Sequence, residues 1–313
     1  MKVVLTGSEG FIGRHLATEI ELEHQLIKVD IKENKEGKEN HVIMDVTDYS
    51  QVKVLEEVKP EAIIHAAAIA KVSKCQEEPR RCYEINVNST LNLLELSRKV
   101  DLNRFIYISS GGVYSPKQGE KDVINEDFPI EPKGVYALTK HSSELLIKEY
   151  SNSYGLKAII MRITAPYGPG MWDREAISRH ALLFAEKVVK EEDIVMSYGG
   201  DHTINYTYVK DIAYAVTLAL ISRVKGFEIF NISGGRNYRI SELGEVCKDI
   251  NPKLNVSIGK GYLLNSYSEE ELLKPINVVQ GLWDIRKAKE LLHYEPRYTL
   301  KRGMKELVES LNV

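Results

Sequence analysis

The stretch Lys2-Val3-Val4-Leu5-Thr6-Gly7-Ser8-Glu9-Gly10-Phe11-Ile12-Gly13 decides how this chain folds. Its opening residues read as a short buried strand, its glycines as a tight turn, and Phe11 through Ile20 as a helix whose N-terminus faces that turn. The unpaired N–H groups and dipole at such a helix end favour an anion. Small Gly7 and Gly10 let a pyrophosphate approach the backbone, and Gly13 lets the helix lie close to the sheet. A glycine-rich turn of no special purpose shares this composition, but the placement between a strand and a helix points to a dinucleotide site. Gly7, Gly10, Phe11, Ile12 and Gly13 are the expected cofactor contacts.

Outward from that motif, strand-like runs alternate with helical ones: Gln25 to Asp30, His41 to Asp45, Glu61 to His65, Arg104 to Ser109 and Lys157 to Arg162. Apolar, β-branched runs separated by amphipathic helices predict a parallel sheet covered on both faces, the doubly wound α/β architecture of the Rossmann type. After Arg162 the texture changes at Ala165-Pro166-Tyr167-Gly168-Pro169-Gly170, and helices with longer connections follow. Residues 1–165 are expected to form the cofactor-binding domain, with 204–233 returning to it as strand, helix and strand. Residues 166–203 and 234–313 are expected to form a smaller, mostly helical C-terminal substrate lobe. Ile31 to Asn40, charge-rich and aperiodic, reads as a solvated loop.

The chain has 313 residues, 43% hydrophobic and 28% charged, which is enough to bury a full core. A net charge of −3 gives no electrostatic reason to expect nucleic acid or an anionic membrane as partner. No apolar run approaches the ~20 residues of a membrane span, and no signal-like segment precedes the first strand, so the cytoplasm is the expected compartment. Cys75, Cys82 and Cys247 are odd in number and lack a C-x-x-C spacing. They read as buried or incidental thiols rather than a disulfide framework or zinc site. The scattered histidines suggest no metal.

Asp30 closes the second strand, where a dinucleotide fold places an acid against the adenosine ribose. A carboxylate there repels a 2′-phosphate and favours NAD over NADP, although Lys28 and Lys32 stand nearby. Asp45 closes the third strand and Val46 follows it. Asp45 is suited either to accept from the adenine amino group or to cap a helix from Asp48 onward. Ala66-Ala67-Ala68 supplies small side chains where backbone would pass close to the cofactor, and small residues also serve helix packing.

Oxidising a carbinol needs a base for the hydroxyl proton, and a tyrosine serves only if its pKa, about 10, is brought toward neutrality. Lys140 lies one helical turn from Tyr136, so its ammonium can stabilise the phenolate and hold the nicotinamide ribose. Tyr49 with Lys53 and Tyr206 with Lys210 share that spacing. Only the Tyr136 pair follows Ser109-Ser110-Gly111-Gly112, a turn ending a central strand, where parallel sheets form their ligand crevice. Ser110 is therefore expected beside the nicotinamide, bonding the reacting oxygen.

Thr6-Gly7-x-x-Gly10-x-x-Gly13, Asn86-Val87-Asn88-Ser89-Thr90, Ser109-Ser110-Gly111-Gly112-Val113-Tyr114, Tyr136-Ala137-Leu138-Thr139-Lys140 and Tyr167-Gly168-Pro169-Gly170 resemble the extended short-chain dehydrogenase/reductases. The likeness is to their sugar-nucleotide epimerases, typified by UDP-glucose 4-epimerase. Tyr208-Val209-Lys210-Asp211 and Trp283-Asp284-Ile285-Arg286-Lys287-Ala288 extend it to the later half. The resemblance implies an active site in which Asn86 joins Ser110, Tyr136 and Lys140, a nucleotide sugar as substrate, and a homodimer formed through helices at Arg80 to Lys99 and Lys140 to Tyr154.

Two departures stand out. Ala165 occupies a position where this family usually has an Asn that holds the substrate nucleotide. Ile204-Asn205 stands where an arginine commonly meets its pyrophosphate. Either Arg174, Arg179, Lys210, Arg236 or Arg239 supplies the cation, or the substrate is not a standard nucleotide sugar. Dehydratases of the family place an Asp-Glu pair just after the active-site hydroxyl, and Gly111-Gly112 offers neither group. That leaves a UDP-sugar 4-epimerase as the expected activity. A keto-sugar reductase or dehydrogenase, and a non-catalytic dinucleotide sensor, are the alternatives.

Overall fold

Val3 and Leu5 point to one face of a sheet and Val4 to the other, and both faces are dry. The computed structural model describes residues 1–33, 40–115, 119–264, 270–276, 278 and 280–312. Most of the loop read at Ile31 to Asn40 therefore lies outside the described residues. Seven parallel strands form the main sheet: β1 (Lys2–Thr6), β2 (Gln25–Asp30), β3 (His41–Ile43), β4 (Ala62–His65), β5 (Arg104–Ser110), β6 (Ala158–Ile163) and β7 (Phe227–Ile232). Their spatial order is β7-β6-β5-β4-β1-β2-β3, the doubly wound arrangement.

The apolar runs explain the layers. On one face Leu16, Ala17 and Ile20 of helix α1 (Phe11–Ile20) share a core with Val3, Leu5, Ile64, Ile106 and Met161. On the other, Leu93, Leu94 and Leu96 of α2 (Ser89–Lys99) and Ile147 of α3 (Gly134–Tyr154) pack on Val4, Ile63, Phe105 and Ile160. Strands buried on both sides cannot alternate with polar residues, so they read as continuous hydrophobic runs. A separate apolar cluster joins α4 (Arg179–Val189) to Ile204, Tyr206, Tyr208, Leu243 and Met304.

Four sequence expectations change. The return segment is split: Phe227–Ile232 joins the main sheet beside β6, but Thr203–Ile204 pairs with Tyr238–Arg239 and Thr207–Tyr208 with Pro166–Tyr167. The third strand stops at Ile43, two residues before the Asp45 carboxylate accepts from the Thr47 amide (2.9 Å) and hydroxyl (2.7 Å). The region from Arg80 to Lys99 is not one α-helix. Pro79–Tyr83 leads into a π-helical turn at Glu84–Asn88 before α2 begins. Finally, Cys75 and Cys82 are a buried disulfide, not free thiols, with Cα atoms 5.1 Å apart. Spacing alone hid this, because the chain bends between two short helices at Glu78-Pro79 and folds Cys82 back onto Cys75.

Candidate active site

The glycine loop is shaped by contacts that leave no room for side chains. Gly7 has φ +72°, and a Cβ there would lie 2.6 Å from the Ala67 nitrogen. A Cβ on Gly13 would meet the Gly7 carbonyl oxygen at 1.9 Å. Gly10 is the N-cap of α1 and offers its end no side-chain hydrogen bond, so the first-turn N–H groups at Phe11, Ile12 and Gly13 keep their capacity for an anion. Around this cradle Asp30 accepts from the Glu9 amide (2.9 Å) and the Lys32 amide (3.1 Å). Lys28 is turned away and buried against Glu21, 2.6 Å from its carboxylate, which leaves Lys32 as the exposed lysine beside Asp30. Ala66 and Ala67 lie where β4 ends against Thr6 and Gly7. Asp45 caps its own turn, Asp48 caps the following helix, and the carbonyl of buried Val46 is held by Asn92 (3.0 Å). These residues fit a bound dinucleotide: the backbone is bare where a pyrophosphate would lie, and an acid stands at the end of β2.

The catalytic candidates come together at the carboxyl end of β5. Ser110 is its last residue and pairs in register with Ile163 of β6. Its hydroxyl oxygen accepts from the Gly112 amide (3.1 Å), and the hydroxyl neighbours the Tyr136 phenol. Burial pushes that phenol above its ordinary range, and the neighbouring Ser110 hydroxyl works against the push. Lys140, 4% exposed, donates to the Ile108 carbonyl (2.8 Å) and sits 4.8 Å above the Tyr107 ring. Burial pulls its ammonium down to about 7, with the Glu144 carboxylate opposing the fall. The ammonium thus lies under the strand that carries Ser110. Among the described residues its bonds go to β5 rather than to the phenol.

Asn86 has a different position from its three partners. Its side chain accepts from the Ile69 amide (2.8 Å) and donates to the Ile69 carbonyl (3.1 Å), the Thr139 hydroxyl (3.0 Å) and the Cys82 sulfur (3.3 Å). With every polar atom committed, it ties the π-helical turn and the segment after β4 to α3, next to Lys140. A π-turn is a frequent local device at functional sites.

Four further residues were not legible as site residues. Glu144, one turn beyond Lys140, forms a buried bidentate pair with Arg162 (3.1 and 2.7 Å) and accepts from Ser109 (2.6 Å). Although burial raises its pKa, the nearby His141 (3.6 Å) and bonds from Arg162 and Ser109 hold it below the usual value. His65 bridges Thr6 (2.7 Å) to Thr90 (3.1 Å), and burial, with the Lys140 charge, drives its pKa to about 3. The signal for Glu144 was its i,i+4 spacing from Lys140. Arg162 and Ser109 came from distant strands that only the sheet order brings together.

The other Tyr-x-x-x-Lys pairs have different surroundings. Lys53 follows a surface helix whose Tyr49 stacks under Lys99, and Lys210 is bound to Glu306 at 2.6 Å. Beside the sheet end, Ala165 is nearly buried in the left-handed region (φ +35°) and Ile204 is fully buried. Of the five candidate cations, Arg174 is held by Glu186 and Glu271, Lys210 by Glu306 and Arg236 by Glu242. Arg239 stands 3.9 Å from Asp201. Arg179 has no carboxylate partner among the described residues.

Comparison with known proteins meets the site at this point. Residues 3–233 match the NAD dependent epimerase/dehydratase family. A protein of Methanocaldococcus jannaschii, provisionally named UDP-glucose 4-epimerase, is 31% identical, covering 98% of this chain and 97% of its own. The UDP-glucose 4-epimerase of Thermotoga maritima, solved with UDP-glucose, superposes with a TM-score of 0.83 at 27% identity, covering 99% of this chain and 98% of that one. The Thermus thermophilus UDP-glucose 4-epimerase complex with NAD gives 0.82 at 25% identity, with the same coverage. With the glycine cradle and the Ser110–Tyr136 contact on a seven-stranded doubly wound sheet, these matches establish that the chain belongs to the NAD dependent epimerase/dehydratase family.

Proposed function

We propose that the protein is an NAD-dependent 4-epimerase of a nucleotide sugar, a UDP-sugar, working through a 4-keto intermediate. The observation that carries this reading is the juxtaposition of Ser110 and Tyr136 at the end of β5, with Lys140 buried one helical turn away. NAD, held by the loop from Gly7 to Gly13 and by Asp30, would supply the acceptor and donor of hydride. Tyr136 takes the proton from the sugar hydroxyl and later returns it. Ser110 shares that oxygen's hydrogen bond and keeps the phenol aimed. In its protonated form, which Glu144 favours against burial, Lys140 provides positive charge beneath the strand. The Lys28–Glu21 pair removes one cation from the reach of a 2′-phosphate, which supports NAD over NADP.

The turn after Ser110 supports epimerisation over dehydration. A Cβ on Gly111 would lie 2.1 Å from the Trp283 ring, so no acidic side chain fits there to expel water. The same chemistry at Tyr136 serves a keto-sugar reductase, and turnover products distinguish the two. Leu138 and Leu145, seven residues apart on α3 and 44% and 54% exposed, with Leu91 on α2, give an apolar stripe suited to a homodimer. The test is to incubate the protein and NAD with UDP-sugars and follow C4 inversion. Tyr136→Phe should lower kcat roughly 10²–10⁴-fold while NAD affinity stays unchanged. Equal turnover by the variant would remove Tyr136 as the base.

A further inference from the structure

We propose that Arg179 is the substrate-anion contact of this protein, a guanidinium that binds the diphosphate of the nucleotide sugar from the start of α4. The proposal rests on the sugar-nucleotide reading above and names the residue that recognises the charged part of that substrate.

Arg179 is 4% exposed, its Nη2 donates to the Lys274 carbonyl, and its Nε has no partner among the described residues. A buried guanidinium without a carboxylate is costly, because desolvation is not repaid by an ion pair. Its acidic neighbour Glu271 is already bound by Arg174, at 2.6 and 2.8 Å, and the same arginine holds Glu186. Arg174 therefore pairs with both carboxylates near the entrance of α4 and leaves Arg179 without an ion pair of its own among the described residues. Among the described residues, the other groups facing Arg179 add no anion: buried Tyr206 has an unpartnered hydroxyl, His180 donates to the Leu272 carbonyl (2.8 Å), and His202 is buried. Burial and the Arg179 charge together hold both imidazoles neutral, His180 near 3 and His202 near 4.

The fold delivers this cation to the ligand end of the sheet. Ala165 follows β6 directly beyond the Ser110–Ile163 register, and Ser178, the N-cap residue of α4, donates to the Pro166 carbonyl at 2.7 Å. Gln280 crosses the same end, donating to the Thr164 hydroxyl (3.2 Å) and accepting from the Asn205 amide (2.8 Å). Arg179 thus follows directly on the residue that is tied to Pro166, just past β6, and is itself held by the Lys274 carbonyl. Ile204, fully buried, offers no charge. The planar fork of a guanidinium matches two phosphate oxygens at once, which a lysine cannot do.

The experiment measures binding without turnover. UDP, dTDP and GDP are titrated calorimetrically into the NAD-saturated protein, with uridine as the phosphate-free control. The wild type should bind at least one diphosphate. Arg179→Gln should weaken that binding roughly 10- to 100-fold, as expected for a charge-assisted bond, and leave the response to uridine unchanged. Arg179→Lys should recover only part of it, and Tyr206→Phe, which keeps the cation and the fold, should weaken it less than fivefold. Equal diphosphate affinity in the wild type and Arg179→Gln overturns the proposal, as does a wild type that binds none of the three. Where Arg179→Gln fails to fold, equal affinity in Arg179→Lys overturns it instead. Arg179-dependent diphosphate binding without C4 inversion of any sugar leaves the proposal standing and removes the epimerase reading.

Discussion

Replacing Lys140 with methionine separates the cost of burying a catalytic charge from its use. Lowering the ammonium from its ordinary 10.5 to about 7 corresponds to a charging penalty on the order of 5 kcal/mol, at about 1.36 kcal/mol per pH unit. Between those two pH values the folded protein holds the side chain neutral, whereas the unfolded chain keeps it protonated. The unfolded state then binds more protons, so wild-type stability rises with pH through this window and the contribution is lost as pH falls through about 7. The maximum slope is about 1.4 kcal/mol per pH unit, or ~2 kcal/mol between about pH 7.5 and 9. Lys140→Met keeps the stem's contacts but cannot titrate. Loss of the bond to Ile108 shifts its stability by about 1 kcal/mol at every pH. Urea unfolding of both apoproteins across this range, followed by tryptophan fluorescence, gives the difference directly. It should move in favour of the wild type by ~2 kcal/mol as pH rises. Parallel stability curves would refute the buried-charge account.

Other perturbations test the remaining parts. Gly13→Ala places a methyl 1.9 Å from the Gly7 oxygen, and should abolish NAD binding in a calorimetric titration while lowering stability by about 2 kcal/mol or more. Thiol titration of the unreduced, denatured protein should find one free group, Cys247, and three after reduction. Reduction should also cost about 2–3 kcal/mol, as for a loop of this length. Leu145→Glu, on the exposed stripe of α3, should convert a dimer to monomer in light scattering with little change in the fold, and a wild type that is already monomeric refutes that interface.

The main sheet was legible because its strands are buried on both faces, so each apolar run carried its own boundary signal. The glycine loop was legible because backbone geometry restricts the residue type, as at Gly7 and Gly13. Ser110, Tyr136 and Lys140 could be ranked above the two competing pairs once a strand end was assigned. The Glu144–Arg162–Ser109 network could not be read, since its members lie on α3, β6 and β5 and meet only after the strand order is known. The disulfide escaped for the same kind of reason: seven residues separate its cysteines, and only the bend at Pro79 sets them face to face. Lys140 shows the opposite case. Its spacing from Tyr136 was visible, but its bond to the Ile108 carbonyl depends on how deeply α3 packs against β5.

Ala165 shows how substrate recognition can change here without disturbing the chemistry beside it. A left-handed alanine is strained by roughly 1–2 kcal/mol, where asparagine or glycine would be tolerated. The strain is sustained by backbone contacts: the Ala165 carbonyl accepts from the Thr207 amide (3.1 Å), and Pro166–Tyr167 pairs with Thr207–Tyr208. The path of this turn is therefore fixed by its neighbours and not by its own side chain. That path also fixes α4, through the bond from Ser178 to the Pro166 carbonyl. A change of side chain at Ala165, Ile204 or Arg179 can alter which anion is recognised, while the register of Ser110 with Ile163 is held by the main sheet. Variants at Arg179 should consequently alter KM for the substrate far more than the single-turnover rate of C4 oxidation at saturation. An equal loss in both would mean that the α4 end and the β5 end are mechanically one site.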